Sequence, residues 1–197
     1  LLPEAQIITL SATVGNSQDL ADWLNSDLVV SEWRPVSLEY ATLAELDLEP
    51  RAIQKSEFSS SSNLGPPRTL DGPKSHIAWA ALSDVYEDGG QLLVFVSSRR
   101  SAQSEAKKLG QRMEKYLQKN NPEVLPKLRE LSQRLARSSN SAMGDTLAEC
   151  VKGGVAFHHA GLMHAQRTEI ENAFKERLLY CLSATPTLAA GVNLPAR

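Results

Sequence analysis

The sequence predicts an α/β fold built on a doubly wound parallel sheet, and three observations predict it. Between residues 91 and 182, apolar runs short enough to be strands alternate with longer segments of helical periodicity. Gln91-Leu-Leu-Val-Phe-Val96 is too continuous to be a half-exposed strand, Leu178-Leu-Tyr-Cys-Leu182 reads as a buried strand, and Val155-Ala-Phe157 reads as a short one. Candidate polar groups stand just after these runs, at Ser97, His158 and Thr185, where ligands bind in such sheets.

In chain order, Gln6-Ile-Ile-Thr-Leu10 reads as a short buried strand leading into Ser11-Ala-Thr13. Ser17 reads as the cap of a helix through about Asn25, with Leu20, Ala21 and Leu24 on one face. Asp27-Leu-Val-Val-Ser31 reads as another strand, and Val36 to about Ala41 as extended. Residues 42–74 change character: Glu45, Asp47, Glu49 and Glu57 make them acidic, and Ser59–Ser62 with Gly65-Pro-Pro67 breaks any periodicity. They read as a linker or exposed loop.

A new folding unit is expected near Ser75. His76 to Tyr86 reads as a helix ended by Gly89-Gly90. After the strand at 91–96, Ser97-Ser-Arg-Arg100 opens a long helix with Leu109, Met113, Tyr116 and Leu117 at helical spacing. Asn120-Asn-Pro122 breaks it, and a second helix carries Leu125, Leu128, Leu131 and Leu135 on one face. Helices are expected again around Asp145–Val151 and from Ala165 to about Glu176.

At 197 residues, 42% hydrophobic and 22% charged, the chain has the composition of a soluble globular protein of one domain or one and a half. No apolar run approaches the roughly 20 residues that span a membrane. Leu1-Leu-Pro-Glu shows neither a basic leader nor an initiator Met, so a piece of a longer chain is expected. Cys150 and Cys181 are isolated, which favours two reduced thiols acting as small hydrophobes over a disulfide. The net charge of -2 conceals a division: -9 over residues 1–98, +7 over 99–137 and zero over 138–197. Only the middle block suits a polyanion. Lys107, Lys108, Arg112 and Lys115 are its candidate nucleic-acid contacts, against the plainer reading of a solvated helix face.

Four short segments carry candidate chemistry. Ser11-Ala-Thr13 follows the first strand with a hydroxyl pair that can both donate and accept. Phe95-Val-Ser-Ser-Arg-Arg100 sets hydroxyls and arginine at a helix start, an arrangement suited to phosphate; the alternative is a plain serine cap with solvated arginines. Phe157-His-His-Ala-Gly-Leu162 could be half of a metal site with His164. However, adjacent histidines on an extended segment point to opposite faces, and no cysteine is near. One imidazole is therefore expected to be structural and the other near a nucleic-acid track, while Gln166 and Arg167 read as surface residues. In Thr185-Pro-Thr-Leu-Ala-Ala-Gly-Val-Asn-Leu-Pro-Ala-Arg197, a strand end passes into hydroxyls and a helix start. Pro186 fits the first turn, and Gly191 permits close backbone approach. Gly72-Pro-Lys-Ser75, with Gly65 upstream, imitates the end of a P-loop. Six residues instead of four separate the glycines, Pro73 has no N–H, and no strand precedes, so it is rejected.

The 185–197 run resembles motif V of superfamily-two helicases in its Ski-two-like (superkiller-type) version, most like the archaeal DNA-repair helicases of stalled replication forks. Ser11-Ala-Thr13 resembles motif III, Phe95–Arg100 motif IV and Phe157–Leu162 motif IVa, in the family's order. The resemblance implies RecA-like domains: residues 1–41 as the end of the first, 42–74 as a linker, and 75–197 as an incomplete second. It implies that Ser97, Ser98, Arg99, His158, Gly161, Thr185 and Thr187 meet nucleic acid. Gly191, Val192 and Asn193 would face the ATP cleft, and Ser11 and Thr13 would couple the domains. ATP and Mg²⁺ are the implied cofactors and single-stranded or forked DNA the implied partner of a 3′-to-5′ motor. No metal site of the chain's own is implied.

The P-loop, the Asp-Glu box and the arginine finger would lie outside this stretch, so the piece alone, a monomer, is expected to be inactive. An archaeal source would place it in the cytoplasm at the nucleoid, a eukaryotic one in the nucleus. An RNA helicase of the same group, or a non-catalytic α/β binding module, are the alternatives.

Overall fold

In the computed structural model, which describes residues 8–11, 14–31, 39–51, 65–138 and 141–186, the apolar runs of the second half form a three-stranded parallel sheet. The elements are α1 (Ser17–Leu24), β1 (Tyr40–Ala44), β2 (Asp47–Arg51), β3 (Arg68–Thr69), α2 (Ile77–Glu87), β4 (Leu92–Phe95), α3 (Arg99–Asn120), α4 (Leu125–Arg137), α5 (Ala142–Val151), β5 (Val155–His158), α6 (His164–Lys175) and β6 (Cys181–Ala184). The order across the sheet is β4-β6-β5, so the last strand enters between the other two. This is the mixed α/β architecture with a parallel sheet expected of a RecA-like domain.

The strands β5 and β6 are buried at every position, in keeping with their largely apolar sequences, with His158 and Ser183 as the buried polar residues. β4 departs from expectation: it stands at an edge of the described sheet, and Phe95 is 49% exposed. Helices α3 and α5 pack along β5, and α3 also along β6. The buried row Ala102, Ala106, Leu109, Met113 and Leu117 is the inner face of α3. All four predicted leucines of α4, Leu125, Leu128, Leu131 and Leu135, are buried. Ser132 between them donates to the Ala148 carbonyl of α5 at 2.7 Å, which satisfies a hydroxyl that would otherwise be stranded.

Two glycines let α3 meet the turn after α5. A methyl group added at Gly153 would stand 2.0 Å from the Gly110 carbonyl oxygen, and one at Gly110 2.8 Å from that of Cys150. At the end of α2, Gly89 takes a left-handed φ of 68°. Its N–H donates to the Tyr86 carbonyl and that of Gly90 to Val85, the Schellman arrangement that closes a helix. Tyr86 then meets Tyr116 and Tyr180 edge to face, joining α2, α3 and the approach to β6. Cys150 and Cys181 are free and buried, and burial pushes the Cys150 thiol up to about 12.

Several expectations are corrected. Residues 42–74 are not only loop: β1 and β2 form an antiparallel hairpin, with Tyr40 opposite Arg51 and Ala44 opposite Asp47, and β3 extends it. Leu46, Leu70 and Ala80 form its small core against α2. Arg68 forks onto Asp84, and Lys74 reaches Glu45 at 2.6 Å. The strands expected at 6–10 and 27–31 do not form over their described residues: Ile8, Leu10, Val29 and Val30 are exposed, and no described strand pairs with them. A strand exists only through its ladder, and apolar character alone does not make one. Ser17 is the first residue of α1 rather than its cap; Asn16 holds that position.

Candidate nucleic-acid interface

The register of the parallel sheet places three chain segments side by side. Phe95 of β4 and His158 of β5 both lie opposite Ala184 of β6. Beyond this row the chains stay joined for one more bond each: the Val96 N–H donates to the Ala184 carbonyl at 2.9 Å, and the Thr185 N–H to the His158 carbonyl at 3.3 Å. The segments beginning at Ser97, His159 and Pro186 therefore leave the sheet along one edge, its C-terminal edge.

After β4 the chain turns directly into the 22-residue helix α3. Ser98 is its N-cap, and its Oγ accepts from the Ser101 N–H at 3.0 Å and lies 2.8 Å from the Ser101 hydroxyl. The Ser98 side chain is thus already engaged as a cap, while Ser97, Arg99 and Arg100 are exposed to solvent. The first turn of a helix this long concentrates backbone donors and partial positive charge.

After β5 the two histidines diverge, as adjacent residues of an extended segment must. His158 turns toward α6, where its Nε2 lies 2.9 Å from Glu171; its Nδ1 is buried without a partner. His159 turns toward α3, stacked on Phe157, with its Nε2 3.1 Å from the Gln103 carboxamide. Its Nδ1 accepts the Gly161 N–H at 3.1 Å, which places the ring proton on Nε2. The Gln103 atom at 3.1 Å is the carboxamide nitrogen, and exchanging the amide's oxygen and nitrogen lets the oxygen accept that proton. Burial, then the positive charge of Arg99, then His158, hold His159 below the usual histidine range.

Both rings are buried by the elements that cover the two faces of the sheet, so neither imidazole is exposed to solvent. What His159 does instead is position. A methyl group added at Gly161 would meet its Nδ1 at 3.0 Å and Arg99 Nη1 at 3.6 Å, so Gly161 and Arg99 are neighbours across the strand ends.

Of the residues expected at the interface, Ser97, Ser98, Arg99, Gly161 and Thr185 come to the same edge, with Thr185 itself buried. Ser11 is exposed. Thr13, Thr187, Gly191, Val192 and Asn193 lie outside the described residues. Gln166 is corrected from surface to core: it is buried, and its Oε1 accepts the Met163 N–H at the start of α6 at 3.3 Å. Arg167 is half-buried, with its Nε covered and unpaired. Gln103 and Glu171, which hold the histidines, carry no motif. Their only signal is helical spacing, Gln103 lying one turn after Arg99.

At Gly72-Pro-Lys-Ser75 a methyl group on Gly72 would meet Ala80 at 2.9 Å, and Lys74 pairs with Glu45. Among the described residues, no three His, Cys, Asp or Glu side chains gather to hold a metal ion. Nor is any helix among them long and apolar enough to cross a membrane.

No protein-family model matches the chain, but curated proteins do. The ATP-dependent DNA helicase Hel308 of Methanocella arvoryzae is 44% identical over 193 residues, covering 98% of this chain and 24% of its own length. The protein of the same name from Thermococcus kodakarensis is 41% identical over 191 residues, covering 95% of the chain and 15% of its own length. That of Methanococcus vannielii is 35% identical over 196 residues, 98% of the chain and 24% of its own length. The chain therefore spans a quarter or less of these relatives.

Proposed function

Because this chain belongs to the Ski-two-like group of superfamily-two helicases, we propose that it is part of the motor of an ATP-dependent DNA helicase. In this reading residues 75–197 belong to the second RecA-like domain, residues 1–41 to the end of the first, and 42–74 connect them. The observation that carries the reading is the alignment of Ser97–Arg99, Gly161 and Thr185 along one sheet edge by the β4-β6-β5 register.

The chemistry of that edge suits a sugar-phosphate backbone. The start of α3 offers backbone donors and the positive end of a helix dipole to an anion. Arg99 adds a permanent charge with several donors. The neutral form of His159 accepts the Gly161 N–H and keeps that backbone beside Arg99, whose guanidinium is the group free to meet a phosphate. Hydroxyls, amides and guanidinium directed at phosphates read no base, which a translocating motor requires. Thr187 would extend the same edge.

ATP and Mg²⁺ are the proposed cofactors. When bound, ATP supplies the free energy that opens and closes the cleft between two such domains. Gly191, Val192 and Asn193 are the proposed link to that cleft, and Ser11 and Thr13 the proposed coupling to the first domain. Nucleotide hydrolysis is proposed as an activity of the full-length protein. Single-stranded or forked DNA is the proposed substrate, and 3′ to 5′ the proposed direction.

The test is ATP-dependent unwinding by the full-length protein on matched 3′-tailed DNA and RNA duplexes. Unwinding of DNA alone is expected. Unwinding of RNA alone would move the protein to RNA metabolism, and activity on neither would mean that the motor moves something else or needs a partner.

A further inference from the structure

Along its solvent side α3 carries Lys108, Arg112, Lys115 and Lys119, all exposed. Spacings of four, three and four residues stack them in one row, roughly 16 Å long at the helical rise. A solvated helix face ordinarily interleaves charges, so that each cation finds an acid three or four positions away. Here every step along the row is cation to cation, the arrangement that weakens a helix. Among the described residues only Lys108 of the row has an ion-pair partner, Glu105 at 4.0 Å, and Glu105 also faces His76 at 2.9 Å. No ion pair holds Arg112, Lys115 or Lys119 among the described residues. A charge pattern that costs the helix stability in the free protein calls for a polyanion that offsets it.

The position of the row says where that polyanion comes from. Above the first turns of α3 lies an open hollow of about 400 Å³, lined by Ser98, Arg100, Ser101, Ser104, Glu105 and Lys108. Its wall thus runs from the cap residue of the strand-end site to the first cation of the row. We propose that this row is a second phosphate track, continuous with the strand-end site, which holds the DNA backbone beyond the nucleotides gripped at the sheet edge. The proposal rests on the reading that the sheet edge itself holds nucleic acid. Flexible lysine stems and point charges track a backbone without reading bases.

The test compares the full-length protein with a variant carrying Arg112→Gln, Lys115→Gln and Lys119→Gln. DNA affinity is measured across salt concentrations on a short single strand that fills only the sheet edge and on a longer 3′-tailed duplex. Loss of three phosphate contacts should flatten the slope of log affinity against log salt on the longer DNA by about 2 to 3. Binding of the short strand should not change. A variant with Arg112→Lys, Lys115→Arg and Lys119→Arg should keep the parent slope, which separates loss of charge from damage to the helix. An unchanged slope on the longer DNA in the glutamine variant overturns the proposal and leaves the row to an acidic protein or to solvent. If the parent protein binds neither DNA, the strand-end reading falls and the track with it.

Discussion

The Gly161 N–H donates to His159 Nδ1 at 3.1 Å, and this bond requires a neutral imidazole beside the guanidinium of Arg99. Protonation would set a ring N–H against a backbone N–H and a positive charge beside another. Since burial and then Arg99 lower the affinity of the folded ring for a proton, the unfolded chain takes up that proton first as pH falls. Stability is therefore expected to be level above the ordinary value of 6.5 and to decline below it. Denaturant midpoints at about pH 7.5 and about pH 5.5 check this, with His159→Gln expected to reduce the difference. Bound phosphate would offset the charge of Arg99, so DNA should raise the His159 pKa, read from ring NMR shifts.

Gly161→Ala brings a methyl group to 3.0 Å from the His159 ring nitrogen and 3.6 Å from Arg99. The ring must shift within a covered site, which is expected to cost about 1–3 kcal/mol. Gln103→Leu removes the partner of Nε2 and leaves a buried N–H unmet, at about 1–3 kcal/mol. Thermal or urea unfolding measures both.

At the α3–α5 crossing the obstacle is backbone. Gly153→Ala would place a methyl group 2.0 Å from the Gly110 carbonyl oxygen, and neither helix can yield without losing its packing. A loss of about 3 kcal/mol or more is expected. Gly15→Ala, with nothing within 4 Å, should stay within about 0.5 kcal/mol by the same measurement.

Ser98 separates stability from binding. Ser98→Ala removes the acceptor for the Ser101 N–H and should cost about 1 kcal/mol. Ser98→Asp keeps a cap and suits the helix dipole, so stability should hold. It also sets a carboxylate where a phosphate is proposed to sit, so DNA affinity should fall. Paired melting and binding curves on the two variants decide between a cap alone and a cap beside a phosphate.

The sheet was legible in the sequence because burial on both faces leaves an apolar run, as at 155–157, although the last run, read at 178–182, begins three residues ahead of β6 at 181–184. The same signal misled at 27–31, since an apolar run does not reveal whether another strand pairs with it. The hairpin at 40–51 was hidden because a small sheet leaning on one helix needs few apolar residues. Leu43, Leu46 and Leu48 are spread among Glu45, Asp47 and Glu49, which read as loop. At the candidate interface, alternation correctly sent His158 and His159 to opposite faces. It could not say that α6 and α3 cover those faces with Glu171 and Gln103, because these partners are local neither in sequence nor in motif.

The most direct measurement is the DNA concentration that half-maximally stimulates ATP hydrolysis by the full-length protein, in parent and Ser98→Asp forms. If the sheet edge holds the strand by its phosphates, the variant should need on the order of tenfold more DNA, a change of about 1.4 kcal/mol in binding. Equal DNA requirements in the two forms, at equal thermal stability, would contradict the placement of the phosphate backbone at the start of α3.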